Sequence, residues 1–409
     1  MKISKLTSLV FVLGAILYSS KVNAQNVPNV LESGRESRSL LVQANIENAQ
    51  AYYDQGIARY ESGDLQGAIE NYNQALRINP NFAQGYSNKG VVRRALGDLK
   101  GAIEDYNQAL RLDPSLLEAY YNRGNAHGAS GDMKAAIEDY NQAIRINPNI
   151  VLVYNNRGLA RKILGDVKGA VEDYNQALRL NPNQGEAYYN RGLARKILGD
   201  LEGAIEDYNQ ALRLNPNQGE AYYNRGLARV ESGDIKGAIE DLNQALRLNP
   251  NDAEAYYNRG LTRKILGDLE GAIEDYNQAL HINPNFAEAY SNRGLARRVS
   301  GNIKGAIEDY NQALRINPTL ARVYLNRGVA YALLENRKAA IDDFTQSIRI
   351  NPNLALAYFN RGTARRALGD KKGATADFQK ASELFQQQGE IAEYQDTLNL
   401  ILKINIEPK

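Results

Sequence analysis

The sequence has no cysteine and no tryptophan, and it has only two histidines. Without cysteine there can be no disulfide, cysteine nucleophile or thiolate metal site, so stability must come from packing. The histidines, His127 and His281, lie far apart in the chain, and neither has the sequence neighbours of a metal site. No glycine-rich phosphate loop is present either. We therefore expect no enzyme, no cofactor and no metal.

An excess of one charge is also lacking, since 49 lysines and arginines stand against 47 aspartates and glutamates. A nucleic-acid-binding protein is expected to carry a basic face or stripe, whereas the charges here alternate in sign along the chain. We therefore expect no nucleic-acid partner. With 43% hydrophobic and 23% charged residues, the composition is typical of a soluble, folded chain.

A long hydrophobic run is missing as well. The apolar stretch Leu6–Tyr18 is too short to cross a ~30 Å hydrocarbon layer as a helix. It follows two lysines and precedes small residues, which is typical of a secretory signal peptide. We predict that residues 1–24 are removed between Ala24 and Gln25, leaving no membrane span, and that the protein is exported to the periplasm or exterior of a bacterial cell. The alternative is an uncleaved anchor.

What the sequence has in abundance is a repeat of 34 residues. Ten glycines recur at this interval: Gly56, Gly90, Gly124, Gly158, Gly192, Gly226, Gly260, Gly294, Gly328 and Gly362. Nine of the eleven prolines, from Pro80 to Pro352, recur at the same interval. Self-similarity at such a period indicates an array in which one supersecondary unit is stacked many times.

Residues 185–218 serve as the reference repeat, and they predict a helical hairpin. The first helix is predicted from about Glu186 to Leu198. Gly199 can end it in the left-handed conformation, and Asp200 can cap the next helix. The second helix is predicted from Leu201 to about Leu214, with apolar residues recurring on one face.

Five residues of the reference repeat are predicted to have structural roles. Pro216 cannot continue the second helix and therefore ends it. Gly192 lies inside the first helix, where glycine costs about 1 kcal/mol relative to alanine, and with Ala204 it would let the two helices approach closely. Tyr188 recurs in all ten repeats and Tyr208 in seven, so we expect both in the core. The exceptions at the position of Tyr208 are Leu242, Phe344 and Phe378.

This pattern of Tyr, Gly, Ala, Tyr and Pro resembles the tetratricopeptide repeat over roughly residues 49–382. The resemblance implies an all-α TPR solenoid, a right-handed superhelix of about ten helix-turn-helix repeats whose first helices line the concave side. Two positions depart from the family, because Arg191 and Arg195 occupy places where it usually has leucine and an aromatic residue.

We interpret Arg191 and its counterparts as structural. Nine repeats carry aspartate at the position of Asp207 in the second helix. The exception is Asn71, in the repeat where Gln55 replaces the arginine. The joint loss of both charges indicates an arginine–aspartate pair inside each hairpin, a strongly charge-assisted contact.

The two ends of the array need covering, because terminal repeats otherwise expose their apolar faces. Residues 25–38 are predicted as a flexible lead-in and Ser39–Asn48 as a partial cap. After the last repeat, residues 383–409 contain a predicted capping helix from about Glu390 to Lys403. Its apolar residues at helical spacing are Ile391, Leu398, Ile401 and Leu402.

The resemblance also implies a set of partner-binding residues on the concave side of successive first helices. They are Tyr189, Asn190, Leu193 and Lys196, then Tyr223, Asn224 and Leu227, then Tyr257, Asn258, Leu261 and Lys264. A primary amide can donate and accept at once, and this asparagine ladder resembles that of the O-GlcNAc transferase superhelix, whose catalytic domain has no counterpart here. The alternative is that the asparagines only cap or bridge neighbouring helices. The dicarboxylate clamp of some co-chaperones fits poorly, because it needs lysine at Tyr189 and asparagine at Leu193.

These patterns favour a non-catalytic scaffold or assembly factor of the cell envelope. Its groove would hold an extended polypeptide segment of a partner protein, an acidic one in view of the lysines. The alternative is a glycan or peptidoglycan partner, with Tyr189, Tyr223 and Tyr257 stacking on sugar rings.

Overall fold

A computed structural model describes residues 33–406. Throughout this range the regular structure is helical, without a strand. The predicted signal peptide and its cleavage site at Ala24 and Gln25 lie outside the described residues. Across residues 33–406 no helix is both long and apolar enough to cross a membrane.

The helices pair into ten hairpins, five in each of two compact units. The first unit ends at Leu214 and contains α1 (Ser33–Glu61), α2 (Leu65–Ile78), α3 (Ala83–Ala95), α4 (Leu99–Leu112), α5 (Leu117–Ala129), α6 (Met133–Ile146), α7 (Val151–Ile163), α8 (Val167–Leu180), α9 (Gly185–Ile197) and α10 (Leu201–Leu214). The second begins at Asn215 and contains α11 (Gly219–Ser232), α12 (Ile235–Leu248), α13 (Ala253–Leu266), α14 (Leu269–Ile282), α15 (Ala287–Val299), α16 (Ile303–Ile316), α17 (Ala321–Leu333), α18 (Arg337–Ile350), α19 (Ala355–Ala367), α20 (Lys371–Gln388) and α21 (Ile391–Ile406). Odd-numbered helices from α1 to α19 are the first helices of their hairpins. The all-α repeat fold predicted from the sequence is confirmed.

The turn inside the reference hairpin forms as its sequence predicts. Gly199 has a left-handed φ of 81°, which ends α9. The Gly203 N–H then donates to Asp200 Oδ1 at 3.0 Å, so that aspartate caps α10. The bounds of both helices agree with the prediction to within one residue, and Pro216 lies in the turn after α10.

Close contact between the paired helices explains the repeated glycine. A Cβ atom on Gly192 would lie only 2.8 Å from Cε1 of Tyr208. Ala204 and Tyr208 are fully buried, as predicted. Tyr188 is half-buried and packs against a cluster that includes Ala177 and Leu178 of the preceding hairpin.

The hypothesis of an ion pair inside each hairpin is confirmed wherever the sequence has both charges. The pairs are Lys89–Asp105, Arg123–Asp139, Arg157–Asp173, Arg191–Asp207, Arg225–Asp241, Arg259–Asp275, Arg293–Asp309, Arg327–Asp343 and Arg361–Asp377. The sequence did not indicate a further contact that these arginines make. Arg259, for example, donates from Nη1 to Oδ1 of Asn243 in the preceding hairpin at 2.7 Å. The same arginine therefore links two hairpins.

The N-terminal end differs from its prediction. Helix α1 begins at Ser33 and continues without a break to Glu61. Residues 33–38, predicted as a flexible lead-in, are therefore helical, and Ser39–Asn48 is the first part of the opening repeat's own helix rather than a separate cap. The helix continues through this segment because residues 35–48 contain no proline and no glycine that would end it.

The predicted C-terminal capping helix is present as α21, which packs against α20. Its contact face differs from the predicted one. Tyr394 packs into the cluster around Phe385, and Ile401 packs against Phe378. Ile391 and Leu402 are exposed, so two of the four predicted residues lie off the contact face.

Candidate functional site

The residues predicted to bind a partner lie on one face of the first helices, which we call the first-helix face. It is formed by the positions of Tyr189, Asn190, Leu193, Lys196 and Ile197 and by their counterparts in the other repeats. In the first unit the four predicted residues of α9 are half-buried. In the second unit Tyr223, Asn224 and Leu227 of α11, and Tyr257, Asn258, Leu261 and Lys264 of α13, are half-buried as well.

The tyrosine rings of this face pack inward. In the first unit the Tyr189 ring lies 6.0 Å from the Tyr208 ring, centroid to centroid. In the second unit the Tyr257 ring lies 6.0 Å from Tyr276 and 4.7 Å from Phe286, at the start of the next hairpin. The rings of Tyr189 and Tyr257 therefore pack against neighbouring aromatic rings, and both residues are half-buried.

The tyrosine hydroxyls accept hydrogen bonds from the predicted asparagine ladder. In the second unit Asn258 donates from Nδ2 to the Tyr223 hydroxyl at 2.9 Å, and Asn292 donates to Tyr257 at 3.1 Å. In the first unit Asn88 donates to Tyr53 at 2.8 Å. Each bond joins residues 35 positions apart and so connects successive hairpins. The structure thus places these asparagines as bridges, the alternative that the sequence left open.

The amide of Asn258 has little left to offer a ligand as a donor. Besides its bond to Tyr223, its Nδ2 donates to the Glu254 carbonyl at 2.9 Å, so both amide hydrogens are used internally. Its Oδ1 remains as an acceptor, and the Tyr223 hydroxyl keeps its own hydrogen as a donor. Burial and the nearby Glu254 carboxylate raise the pKa of Tyr223 to about 12, so that hydrogen stays in place at neutral pH. The tyrosine–asparagine pair, rather than the amide alone, presents a donor and an acceptor.

Where the tyrosine is absent, the next asparagine has no bridge. Asn155 and Ser291 occupy the tyrosine position in α7 and α15. The asparagines that follow them, Asn190 and Asn326, make no hydrogen bond through their side chains within the described part of the chain. This difference could have been predicted from the sequence. The residue at the tyrosine position of one repeat determines whether the asparagine of the next repeat has a hydroxyl to bond.

Several cations at one position of the first-helix face lack carboxylate partners within residues 33–406. Lys162, Lys264 and Arg298 occupy equivalent positions and are half-buried, yet none forms an ion pair within residues 33–406. Lys264 donates from Nζ to Oδ1 of Asn292 at 2.9 Å. Burial lowers the pKa of both lysines, because the charged form has lost water. These cations would be stabilised by an anion from outside.

Exposed aliphatic side chains lie next to these cations. In the second unit Ile265, Val299 and Leu333 stand at the equivalent position in three successive repeats and are 60%, 60% and 56% exposed. In the first unit Ile163 and Ile197 are also exposed. An apolar row of this kind is typical of an interaction surface when it is rimmed by polar groups.

Among residues 33–406 no group of side chains is arranged to hold a metal ion, since no three acidic or histidine side chains there are grouped closely enough. His127 occupies an arginine position, and its Nε2 lies 3.9 Å from Oδ2 of the structural Asp139. His281 is exposed on α14.

Family models match most of the chain. Models described as TPR repeat match residues 56–93, 90–131, 161–199, 194–233, 227–264, 262–298 and 294–335. Models described as tetratricopeptide repeat match residues 117–150 and 321–354, and 355–388. No curated protein matches the chain.

Solved structures with similarity to the chain include other proteins of this type. MamA protein, whose crystal structure is known, is 31% identical in sequence. The match has a TM-score of 0.40 and covers 42% of this chain and 94% of MamA. YrrB, described as a TPR protein with an unusual peptide-binding site, is 27% identical in sequence. The match has a TM-score of 0.42 and covers 46% of this chain and 96% of YrrB. A tetratricopeptide repeat protein from Parabacteroides merdae is 22% identical in sequence. The match has a TM-score of 0.45 and covers 61% of this chain and 98% of that protein.

Proposed function

The chain belongs to the tetratricopeptide-repeat family, and we propose that it is a non-catalytic scaffold whose first-helix face holds an extended segment of a partner polypeptide. The observation that carries this proposal is a pair of half-buried cations without carboxylate partners in the second unit, Lys264 and Arg298, each followed along its helix by an exposed aliphatic residue. Lys162 occupies the equivalent position in the first unit. Such a face suits a segment in which carboxylate side chains alternate with aliphatic ones.

The physical argument rests on the contrast between two rows of cations. Arg259 and Arg263 both hold the buried carboxylate of Asp275, so their charges are already compensated. Lys264, the next residue along α13, has only the neutral amide oxygen of Asn292. Since partly buried charges interact strongly with an opposite charge, a carboxylate from a partner would gain more at Lys264 than on the compensated row.

Glycan binding is the second candidate, and the ring contacts favour it less. Stacking on a sugar needs an open aromatic face, whereas the Tyr257 ring packs against Phe286 and Tyr276. The Tyr223 hydroxyl is also engaged by Asn258.

A peptide-binding measurement tests the proposal. The full chain is titrated with fluorescent 12-residue peptides in which Glu and Leu alternate, and with matched peptides in which Gln replaces Glu. We expect the acidic peptides to bind more tightly and the double variant K264A/R298A to weaken them about tenfold, which corresponds to about 1.4 kcal/mol. The matched control is R247A/R315A, which removes two exposed arginines from second helices. Equal losses in both double variants, or equal binding of the neutral peptides, would contradict the proposal.

We also propose that the protein works outside the cytoplasm, in the cell envelope. The support is the sequence of residues 1–24, with two lysines before an apolar stretch and small residues at its end. N-terminal sequencing of the protein from a cell fractionation should start at Gln25. Exported protein that still begins with Met1 would indicate an anchor instead.

A further inference from the structure

One step of the first-helix face in the second unit lacks its filling side chain. In α13 the ring of Tyr257 closes the gap to the next hairpin by packing 4.7 Å from the ring of Phe286. In α15 the equivalent residue is Ser291, and the equivalent of Phe286 is Leu320. Both large rings are therefore replaced by smaller side chains at this step.

The missing rings leave a recess between α15 and α17. Its volume is about 280 Å³. Its lining includes Ser291, Thr319, Leu320 and Val323, together with the exposed charged side chains Glu288 and Arg322. Val323 is buried, whereas Thr319 is exposed, so the recess runs from the apolar core to the surface. A dry apolar cavity of about 150 Å³ is enough to take a benzene ring, so this space is large enough for an aromatic side chain.

A hydrogen-bond donor is left over on α17, at the position whose counterparts bond the tyrosine hydroxyl of the preceding repeat. Asn292 donates to the hydroxyl of Tyr257, and Asn258 donates to the hydroxyl of Tyr223. Asn326 is their counterpart one turn beyond Val323, and its half-buried side chain makes no hydrogen bond within the described residues. A half-buried amide without a partner loses free energy that a hydroxyl acceptor would restore.

From these observations we infer that the recess binds a tyrosine side chain of the partner polypeptide. The ring lies against Leu320 and Val323, and the phenolic oxygen accepts from the amide of Asn326. The molecule itself shows the fit, since Tyr257 occupies the same place one repeat earlier. This inference rests on the proposed function and adds a residue type that the partner segment must contain.

Arg298 and Val299 extend the site along α15. Both lie two turns beyond Ser291 on the first-helix face, Arg298 without a carboxylate partner in the described range and Val299 exposed. A segment anchored by its tyrosine would therefore place neighbouring residues over a cation and an aliphatic side chain. The partner sequence is expected to combine tyrosine with nearby acidic residues.

The test fills the recess from within. The full chain and the variant Ser291→Tyr are titrated with N-acetyl-tyrosinamide and N-acetyl-leucinamide by NMR. We expect the wild type to prefer the tyrosine compound, and Ser291→Tyr to melt at a higher temperature and bind that compound at least tenfold more weakly. Ser300→Tyr is the control, because it adds the same side chain at an exposed position at the end of α15 and should leave binding unchanged.

Two results would overturn the inference. One is unchanged tyrosinamide binding in Ser291→Tyr. The other is a lower melting temperature of that variant, since a recess shaped for a phenol must accept one from its own chain. Asn326→Ala provides a second check and should reduce the preference for N-acetyl-tyrosinamide over N-acetyl-phenylalaninamide to near unity. If these fail while K264A/R298A still weakens acidic peptides, the scaffold proposal stands and only the tyrosine site is wrong.

Discussion

Arg191 and Asp207 form a two-point ion pair across the reference hairpin. Nη2 of Arg191 lies 2.5 Å from Oδ1, and Nε lies 2.9 Å from Oδ2. Asp207 is 1% exposed, and its Oδ2 also lies 3.0 Å from Nη1 of Arg195. The remaining Nη1 of Arg191 donates to Oδ1 of Asn175 in the preceding hairpin at 2.6 Å. One guanidinium thus neutralises a buried carboxylate and joins two repeats.

The first prediction is that this pair is cooperative. Asp207→Leu should lower the free energy of unfolding by about 3 kcal/mol, because it leaves two arginines facing an apolar side chain. Arg191→Leu should also destabilise the protein, while the double variant should lose clearly less than the sum of the two single losses. Urea unfolding followed by circular dichroism measures all three. Additive losses would show that the two side chains act independently.

The second prediction separates bridging from unbridged asparagines. Asn258→Ala removes hydrogen bonds to Tyr223 and to the Glu254 carbonyl, each worth about 0.5–1.5 kcal/mol net. Alanine's better helix propensity offsets part of that loss, so we expect a net destabilisation of about 1 kcal/mol. Asn326→Ala removes no internal bond among the described residues and should leave the melting temperature equal or higher. Similar decreases in both variants would refute the distinction.

The third prediction concerns the glycine row. Gly192→Ala brings Cβ within 2.8 Å of the Tyr208 ring, and we expect it to destabilise the fold by about 1–3 kcal/mol despite alanine's better helix propensity. Gly185→Ala is the matched control in the same helix, since its Cβ would lie 3.5 Å from Leu214, an ordinary contact. That variant should be neutral or stabilising in thermal melts. Loss of stability in both would point to the helix backbone rather than the tyrosine ring.

The fourth prediction concerns pH. Burial, and then the carboxylates of Asp252 and Glu288, raise the pKa of Glu254 above its usual value of 4.5. The stabilisation from its protonation is therefore complete below the unfolded pKa and is lost as the pH rises through the folded pKa. We expect Glu254→Gln to raise the melting temperature relative to wild type at pH 7 and to show a smaller gain near pH 4.

Glu240→Gln is the control for that experiment, because it removes the same charge from the second helix of the preceding hairpin, α12. A gain for Glu254→Gln that is equal at both pH values, or equal to that of the control, would contradict the assigned cause.

The sequence predicted the hairpin in considerable detail. Gly199, Asp200 and Pro216 act through their own backbone geometry and hydrogen bonds over a few residues, so their effects can be read without the fold. The Arg191–Asp207 pair was also predictable, since Gln55 and Asn71 lose both charges together in one repeat. The rotation of α21 was not, because apolar spacing alone allows several faces.

The 34-residue period by itself determined the helices, their pairing and the small residue at each close contact. The tertiary structure alone decided which side chains of the first-helix face remain available. Asn258 and Tyr223 meet over 35 residues only when two hairpins stack, and that contact uses both amide hydrogens. Where Ser291 takes the tyrosine's place, the same stacking leaves a recess and the unbridged Asn326. Periodicity fixes the turns and helices because their forces are local, whereas availability for binding depends on what the neighbouring hairpin has already filled.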